Sequence, residues 1–262
     1  GVILKDKVIV VAGVGDGLGR EVAQVALRDG ARVVVGARSA EKLEAIAKDL
    51  DPSGERIVAC AADILDTASC DALVATAADR FGGLDALVSV AALDTLFGNL
   101  ESTPAEDWTR AMETNVMGTL NVVRSAVPHL KARGGGSVVL VGSRSQWFPP
   151  DQPQIAYASS KGALLSAMYH LVRELGPDKI RVNMVVPTWM WGPPVQMYVK
   201  WQAGERGVEE QQIVDEITSG MPLGDEIPSD DDVAEAIGFF CSDRSRMVTG
   251  ETLQVHAGEN LR

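Results

Sequence analysis

Short apolar runs alternate with longer amphipathic stretches along nearly the whole chain. Runs rich in valine and isoleucine predict β-strands at 7–12, 32–36, 56–60, 86–89, 137–141, 180–186 and 252–255. The stretches between them predict helices at 18–29, 40–50, 67–81, 104–133, 154–175 and 230–241. Continuously apolar strands are typical of a parallel sheet that is covered on both faces. The pattern therefore predicts an α/β fold, a doubly wound parallel β-sheet of about seven strands with helices on both faces.

One segment, at 188–227, departs from this alternation. The rest of the chain shows neither a linker nor a repeat, so we expect a single domain over residues 1–262. A long insertion before the last helix predicts a substrate lid, and a polar stretch at 207–218 within it is predicted helical. Large apolar side chains in this segment indicate a pocket for a bulky apolar substrate. The alternative is that they pack against the core or a subunit interface. They are Trp189, Met190, Trp191, Met197 and Tyr198.

Charge and cysteine content limit the classes of binding partner and the cellular compartment that we expect. The chain carries 24 basic and 36 acidic residues, a formal charge of −12, which argues against nucleic acid or an anionic membrane as a partner. The three cysteines show no metal-ligand spacing, so no metal site is expected, and they are interpreted as buried thiols in a reducing compartment. Without a membrane-spanning run or a signal-peptide pattern, we expect a soluble cytoplasmic protein.

A glycine-rich loop follows the first predicted strand and precedes a helix. Glycines at 13, 17 and 19 allow a tight turn and close approach of the backbone to a pyrophosphate, whose charge the helix N-terminus stabilises. This context predicts dinucleotide binding. Where an acidic residue would favour NAD, the second strand is followed by Arg38, which can pair with a 2′-phosphate and favours NADP. A solvated arginine at the start of the next helix is the alternative, and Asp16 in the loop adds no positive charge.

Tyr157 and Lys161 are four residues apart on a predicted helix. That spacing places them on one face, a turn apart. An ammonium beside a phenol favours the phenolate, so we expect Lys161 to lower the pKa of Tyr157 from about 10 toward the range of an acid–base catalyst. A pair on a solvated helix surface is the common alternative, and only the glycine loop and a serine at the end of an upstream strand argue against it.

These motifs, taken in order, resemble the short-chain dehydrogenase/reductase superfamily in its compact, single-domain branch, over essentially all 262 residues. The resemblance implies a Rossmann-type fold that binds NAD or, as preferred here, NADP. It implies catalytic roles for Ser143, Tyr157, Lys161 and Asn115. It implies a cofactor-binding set formed by Gly13, Asp16, Gly17, Leu18, Gly19, Arg38, Asp63, Ile64, Ala91, Tyr157, Lys161 and Pro187.

The resemblance assigns each catalytic residue a role. Ser143 would position the substrate oxygen, Tyr157 would transfer the proton, Lys161 would stabilise the phenolate and hold the nicotinamide ribose, and Asn115 would hold a water that carries protons onward. Each residue has an alternative. Ser143 could cap a turn, with Ser145 as its rival, while Asn115 could bond backbone and Asp63 could cap the helix near residue 67.

Three departures from the family pattern concern cofactor geometry and the pocket. The segment after strand four is Ser89-Val90-Ala91-Ala92, without the asparagine that braces the sheet. Pro187-Thr188 replaces Pro-Gly, and Gly192 aligns with a threonine that often contacts the nicotinamide amide. One extra residue is expected in the loop at 147–153.

The resemblance implies hydride transfer between a nicotinamide and a secondary alcohol or ketone, in a homo-oligomer (tetramer or dimer). A non-catalytic NAD(P)-binding module and a methyltransferase are the competing hypotheses. The methyltransferase would leave Ser143, Tyr157 and Lys161 without a role.

Overall fold

The computed structural model describes residues 2–150, 152–224 and 226–259, and within them seven strands form one parallel sheet. The strands are β1 (Val8–Ala12), β2 (Arg32–Ala37), β3 (Ile57–Ala61), β4 (Ala86–Ser89), β5 (Gly136–Val141), β6 (Ile180–Pro187) and β7 (Thr252–Val255). Their order across the sheet is β3-β2-β1-β4-β5-β6-β7, and each neighbouring pair is parallel. The order reverses between β1 and β4, where doubly wound sheets bind ligands at the carboxyl ends of their strands.

Helices cover both faces of this sheet. They are α1 (Leu18–Arg28), α2 (Ala40–Leu50), α3 (Thr67–Phe81), α4 (Ala105–Ala111), α5 (Thr119–Arg133), α6 (Ile155–Leu175), α7 (Pro193–Arg206), α8 (Glu210–Thr218) and α9 (Asp230–Cys241). Ile9 and Val11 of β1 pack with α1, α2 and α9, whereas Val8 and Val10 pack with α3, α5 and α6. Because alternate side chains of one strand enter two separate cores, the strand is apolar throughout, as its sequence indicates.

The predicted doubly wound α/β fold is confirmed, and two elements differ from the sequence expectation. The helix predicted over 104–133 is divided into α4 and α5 by a π-helical segment, Met112–Gly118. The segment 188–227 contains α7 as well as the predicted polar helix, α8. None of the helices in the described part of the chain is both long and apolar enough to cross a bilayer.

Candidate active site

The glycine loop brings the ends of β1 and β4 into contact. Gly13 has φ +101°, which favours glycine, and a Cβ there would lie 2.2 Å from the backbone nitrogen of Ala91. The same nitrogen donates a hydrogen bond to the Ala12 carbonyl at 3.0 Å. Gly19 is equally constrained, because a Cβ there would lie 2.4 Å from the Gly13 carbonyl oxygen. The loop is therefore a compact turn at the switch point, with Ala91 packed against it.

The first turn of α1 faces this turn. Gly17 is its N-cap residue and has no side chain with which to satisfy the free N–H groups of the first turn. Leu18 is buried and anchors the start of the helix in the core. An uncapped helix N-terminus beside a close-packed glycine turn is suited to a pyrophosphate. These residues fit a dinucleotide.

Arg38 follows β2 at the same edge of the sheet and is exposed. The loop lies against the end of β2, since Gly13 and Val14 both donate backbone hydrogen bonds to the Gly36 carbonyl. Asp16 of the loop forms an ion pair with Lys42 of α2 at 2.6 Å. Two cations, Arg38 and Lys42, thus lie beyond β2, and the negative charge of Asp16 partly offsets them.

Asp63 and Ile64 follow β3, as expected, but their contacts are mainly local. Asp63 accepts a hydrogen bond from the Leu65 nitrogen at 2.9 Å, and its own nitrogen donates to Ser69 Oγ. Ile64 is largely buried and packs against Gly118. The alternative that Asp63 caps α3 is wrong, because Asp66 is the N-cap and accepts from the Ala68 nitrogen. One carboxylate oxygen of Asp63 has no intramolecular hydrogen bond within the described chain.

Tyr157 and Ser143 meet between the first turn of α6 and the end of β5. Their side chains are close enough for Ser143 to favour the phenolate form of Tyr157. Ser143 is also the N-cap of a short 3₁₀ turn, with its Oγ 3.2 Å from the Ser145 nitrogen and 2.9 Å from the Ser145 Oγ. The capping and catalytic interpretations of Ser143 are therefore compatible. Ser145 adjoins Ser143 and supports it.

Lys161 lies one turn beyond Tyr157 and is almost completely buried, 3% exposed. Its Nζ donates to the Val141 carbonyl at 2.8 Å and lies 5.8 Å from the centre of the Tyr157 ring. Burial lowers the pKa of Lys161 to about 8, and the nearby Asp94 carboxylate opposes that shift.

The expectation that Lys161 lowers the pKa of Tyr157 is not met. Burial raises the pKa of Tyr157 to about 12, the neighbouring Ser143 hydroxyl acts in the opposite direction, and Asp94 raises the pKa further. Desolvation disfavours phenolate more than the Ser143 hydroxyl favours it. The expectation failed because side-chain spacing does not reveal how far the fold shields a phenol from water; Tyr157 is half-buried.

Asn115 lies inside the π-helical segment and is fully buried. Its Oδ1 accepts from the Leu93 nitrogen at 2.6 Å, and its Nδ2 donates to the Leu93 carbonyl and to Ser160 Oγ. Ser160 in turn donates to the Tyr157 carbonyl at 2.7 Å. The backbone-bonding alternative for Asn115 is therefore correct, and a water could be held by its side chain only at the second lone pair of Oδ1.

Two of the departures from the family pattern have visible consequences. The hydroxyl of Ser89 is buried and has no hydrogen-bond partner in the described part of the chain. An asparagine in place of Ser89 could bond the neighbouring backbone, and the Ser89 hydroxyl does not. Asn115 instead holds the following loop through its hydrogen bonds to the Leu93 backbone. Pro187 ends β6 and is buried, while Thr188 donates to Glu259, which also pairs with Arg144 at 3.4 Å.

Three residues with contacts at the site were not predicted from the sequence: Ser160, Asp94 and Asp230. Ser160 links Asn115 to the first turn of α6, although 45 residues separate the two in the chain. Asp94 reaches the Tyr157–Lys161 pair from the loop after β4. Asp230 contacts the glycine loop from the start of α9. Periodicity carries no signal for contacts between distant loops, and only the position of Asp94 just after a strand end could have indicated a role.

Aromatic side chains of the 188–227 segment form a stack. The ring centres of Trp189 and Tyr198 are 5.4 Å apart, and those of Tyr198 and Trp201 are 6.3 Å apart. Met197 and Trp201 are exposed on α7, at 69% and 56%. The segment therefore presents an apolar surface to solvent in addition to its own small core around Val199.

The assembled groups are suited to moving one proton to or from an oxygen atom. The hydroxyls of Ser143 and Tyr157 can bind that oxygen, and the buried amine of Lys161, one turn away, can accept or supply a proton. The glycine loop that fits a dinucleotide lies at the same edge of the sheet.

Known proteins resemble this chain over nearly its whole length. A family model described as Enoyl-(Acyl carrier protein) reductase matches residues 13–260. Dehydrogenase/reductase SDR family member 4 of Mus musculus is 32% identical over 257 residues, covering 97% of this chain and 88% of its own. An L-rhamnose 1-dehydrogenase (NAD(P)(+)) of Azotobacter vinelandii is 31% identical, covering 98% of this chain and 97% of its own.

Solved structures agree as well. L-Sorbose reductase of Gluconobacter frateurii, complexed with NADPH and L-sorbose, has a TM-score of 0.90 at 26% identity, with 98% of each chain covered. A short-chain dehydrogenase/reductase of Brucella melitensis has a TM-score of 0.86 at 29% identity, covering 100% of this chain and 99% of its own. With its parallel sheet, its glycine loop and these relatives, the chain belongs to the short-chain dehydrogenase/reductase superfamily.

Proposed function

We propose that the protein is an NAD(P)-dependent oxidoreductase that interconverts a secondary alcohol and a ketone. One observation carries the proposal. The Tyr157 hydroxyl lies beside Ser143, with Lys161 buried a turn away, at the strand edge that also holds the glycine loop. A non-catalytic dinucleotide-binding module would have no need for a buried amine beside this hydroxyl pair, since burying a lysine is unfavourable.

The residues divide the work of proton transfer. A bound nicotinamide supplies or accepts the hydride. In reduction, Ser143 donates a hydrogen bond to the substrate oxygen, and Tyr157 gives that oxygen its proton. In oxidation Tyr157 accepts the proton of the substrate hydroxyl and gives up its own hydroxyl proton toward neutral Lys161. In reduction, protonated Lys161 supplies the proton that restores the Tyr157 hydroxyl. Asn115 holds the loop at Leu93 next to the first turn of α6.

Removing the Tyr157 hydroxyl tests this assignment. Tyr157→Phe should bind NADPH within about twofold of wild type and lose turnover by ~10³-fold or more, because proton transfer is lost while the ring remains. Turnover is measured with both cofactors on a panel of alcohols and ketones. Tyr169→Phe, on an exposed face of the same helix, is the control and should retain full activity. A fully active Tyr157→Phe enzyme contradicts the proposal, and a wild type that binds cofactor without turnover favours the non-catalytic module.

We further propose that NADP is preferred over NAD. Arg38 is exposed beyond β2, and no described residue forms an ion pair with it, so its guanidinium is available to a 2′-phosphate. Lys42 supplies a second cation nearby, although it is paired with Asp16. That ion pair limits the preference to a moderate one.

Charge reversal at Arg38 tests the cofactor preference. Arg38→Asp should weaken NADPH binding ~10–100-fold, the range for a lost charge-assisted contact, and leave NADH binding unchanged or tighter. Arg32→Asp, at the opposite end of the same strand, is the matched control. An unchanged ratio of NADPH to NADH affinity in Arg38→Asp would remove Arg38 from the cofactor site.

For the substrate, we propose a bulky apolar alcohol or ketone. The aromatic stack of Trp189, Tyr198 and Trp201, together with the exposed Met197, supports a lid that covers an apolar ring system. The names of two similar proteins instead specify sugars, L-rhamnose and L-sorbose. The turnover panel should therefore include bulky cyclic alcohols and these sugars, and higher kcat/KM on the sugars would overturn the apolar class.

A further inference from the structure

Asp230 is a buried carboxylate that contacts the glycine loop and that the proton-transfer chemistry does not use. The residue is 8% exposed and is the first of α9. Its Oδ2 lies 3.4 Å from the position of a Cβ on Gly17 and 2.5 Å from that of a Cβ on Gly192. The carboxylate therefore fills the gap between the N-cap of α1 and the N-cap of α7.

The carboxylate makes no hydrogen bond with any residue that the structure describes, although its neighbours at the start of α9 are paired. Ser229 and Asp232 form a reciprocal capping box. On the α7 side, Pro193 and Pro194 lack an N–H, and the Gly192 nitrogen donates to the Met190 carbonyl instead. Only 8% of Asp230 is exposed, and a carboxylate that is largely withdrawn from water without a partner is costly, so its position requires an explanation.

The charged groups around Asp230 are mostly negative. Burial raises the pKa of Asp230, and Glu21 of α1 raises it further. Arg20 pairs with Glu21 and with Asp49 rather than with Asp230. On the loop side Asp16 is paired with Lys42.

The remaining neighbours add no positive charge. On α9 itself, Asp231 and Asp232 are acidic, and residues 188–194 contain no titratable side chain. The positive end of α1 lies beside the carboxylate, at Gly17, and favours its charged form.

A dinucleotide requires that same end of α1 for its pyrophosphate. Two negative charges on the ligand would then face a carboxylate that has no counter-ion among the described residues. We propose that Asp230 makes dinucleotide binding proton-coupled: the carboxylate takes up one proton from solvent as the pyrophosphate binds, and its O–H then donates a hydrogen bond to the ligand. The inference rests on the proposed function, because it needs a dinucleotide at the glycine loop.

The sign of the pH dependence follows from this coupling. The pKa of Asp230 is higher with pyrophosphate bound than without it, so affinity is greatest at low pH. Affinity falls as pH rises through the pKa of the free protein and levels off above the pKa of the complex. The slope between the two is at most tenfold per pH unit, since one proton is involved.

Binding of NADH and of ADP-ribose tests the proposal. Both ligands carry the pyrophosphate, and neither carries a 2′-phosphate, whose own titration near pH ~6 would obscure the effect. Titration calorimetry from pH 5.5 to 8.5, in buffers of different ionisation enthalpy, counts the protons taken up. Wild type should take up as much as one proton, and Asp230→Asn close to none. At the high-pH end Asp230→Asn should bind both ligands ~10-fold tighter, the effect of removing one pKa unit of repulsion.

A matched variant separates this effect from general charge. Asp231→Asn removes the same charge from the next residue, which is exposed, and should match wild type in affinity and in proton uptake. Thermal unfolding of both variants checks that the fold is retained.

Each outcome has a defined meaning. Unchanged or weaker binding by Asp230→Asn, in a protein that binds NADH and turns over, overturns this inference alone. Loss of NADH affinity without loss of ADP-ribose affinity would mean that Asp230 contacts the nicotinamide, which also overturns it. Failure of wild type to bind NADH or NADPH at any pH overturns the proposed function, and the inference with it.

Discussion

Desolvation dominates the chemistry of Tyr157 and Lys161. Both pKa shifts favour the neutral form: burial raises the pKa of the phenol to about 12 and lowers that of the amine to about 8. Their four-residue spacing was predictable from the sequence, and their Coulombic attraction was expected to prevail. Burial outweighs that attraction, so we expect the pair to lose its first proton near pH 8, from Lys161 rather than from Tyr157.

This order of deprotonation predicts the pH profile of alcohol oxidation. We expect kcat/KM to rise with pH up to about 8, because below that value Lys161 is charged and cannot take the proton from Tyr157. In Lys161→Met the rise near pH 8 should disappear, leaving a low activity that increases toward the Tyr157 pKa of about 12.

Steady-state kinetics from pH 6 to 10 measure both profiles. Lys48→Met, an exposed lysine on α2, is the control and should retain the wild-type profile. A rise near pH 8 that persists in Lys161→Met would assign it to another group.

At the scale of elements, the glycine loop depends on one close contact. Gly13→Ala would place a methyl group 2.2 Å from the Ala91 nitrogen, at φ +101°. We expect a loss of about 1–3 kcal/mol in the free energy of unfolding, the usual cost of such backbone strain, and more than ~10-fold weaker NADPH binding. Chemical denaturation and a binding titration measure the two effects.

Gly15→Ala provides the internal comparison. A Cβ at Gly15 meets nothing within 4 Å, so this variant should stay within about 0.5 kcal/mol of wild-type stability. Equal destabilisation by the two variants would show that the contact with Ala91 is not what constrains the loop.

The π-helical segment shows where element prediction fails. Apolar periodicity correctly placed a helix over 104–133, but it does not detect one extra residue in a turn. That extra residue directs Asn115 inward, to the Leu93 backbone and to Ser160. The cap of α3 shows the same limit of sequence reasoning. The alternative named Asp63 as the cap, whereas Asp66 caps the helix, and both aspartates lie within four residues of its start.

At the scale of the whole molecule, the parallel, doubly wound sheet of about seven strands was predicted from the sequence and is confirmed. Alternating strands and helices with short connections leave few arrangements, and the site of a doubly wound sheet lies at its carboxyl edge. The contacts that join distant loops there were not predictable. Asp230 reaches Gly17 across more than two hundred residues of sequence, and Asp94 approaches Lys161 across more than sixty.

The hydrogen bonds of Asn115 also bear on how the protein folds. They join Asn115 to Leu93 and to Ser160, and Ser160 in turn bonds the Tyr157 carbonyl. These residues lie on segments that meet only when β4, the π-helical segment and α6 have all docked. In an all-parallel sheet no strand pair forms as a local hairpin, so such long-range contacts form late and slowly. A misassembled or partly refolded chain can therefore contain its helices without an organised Tyr157 site. Recovered turnover, rather than recovered helical signal, is the appropriate measure of correctly folded material.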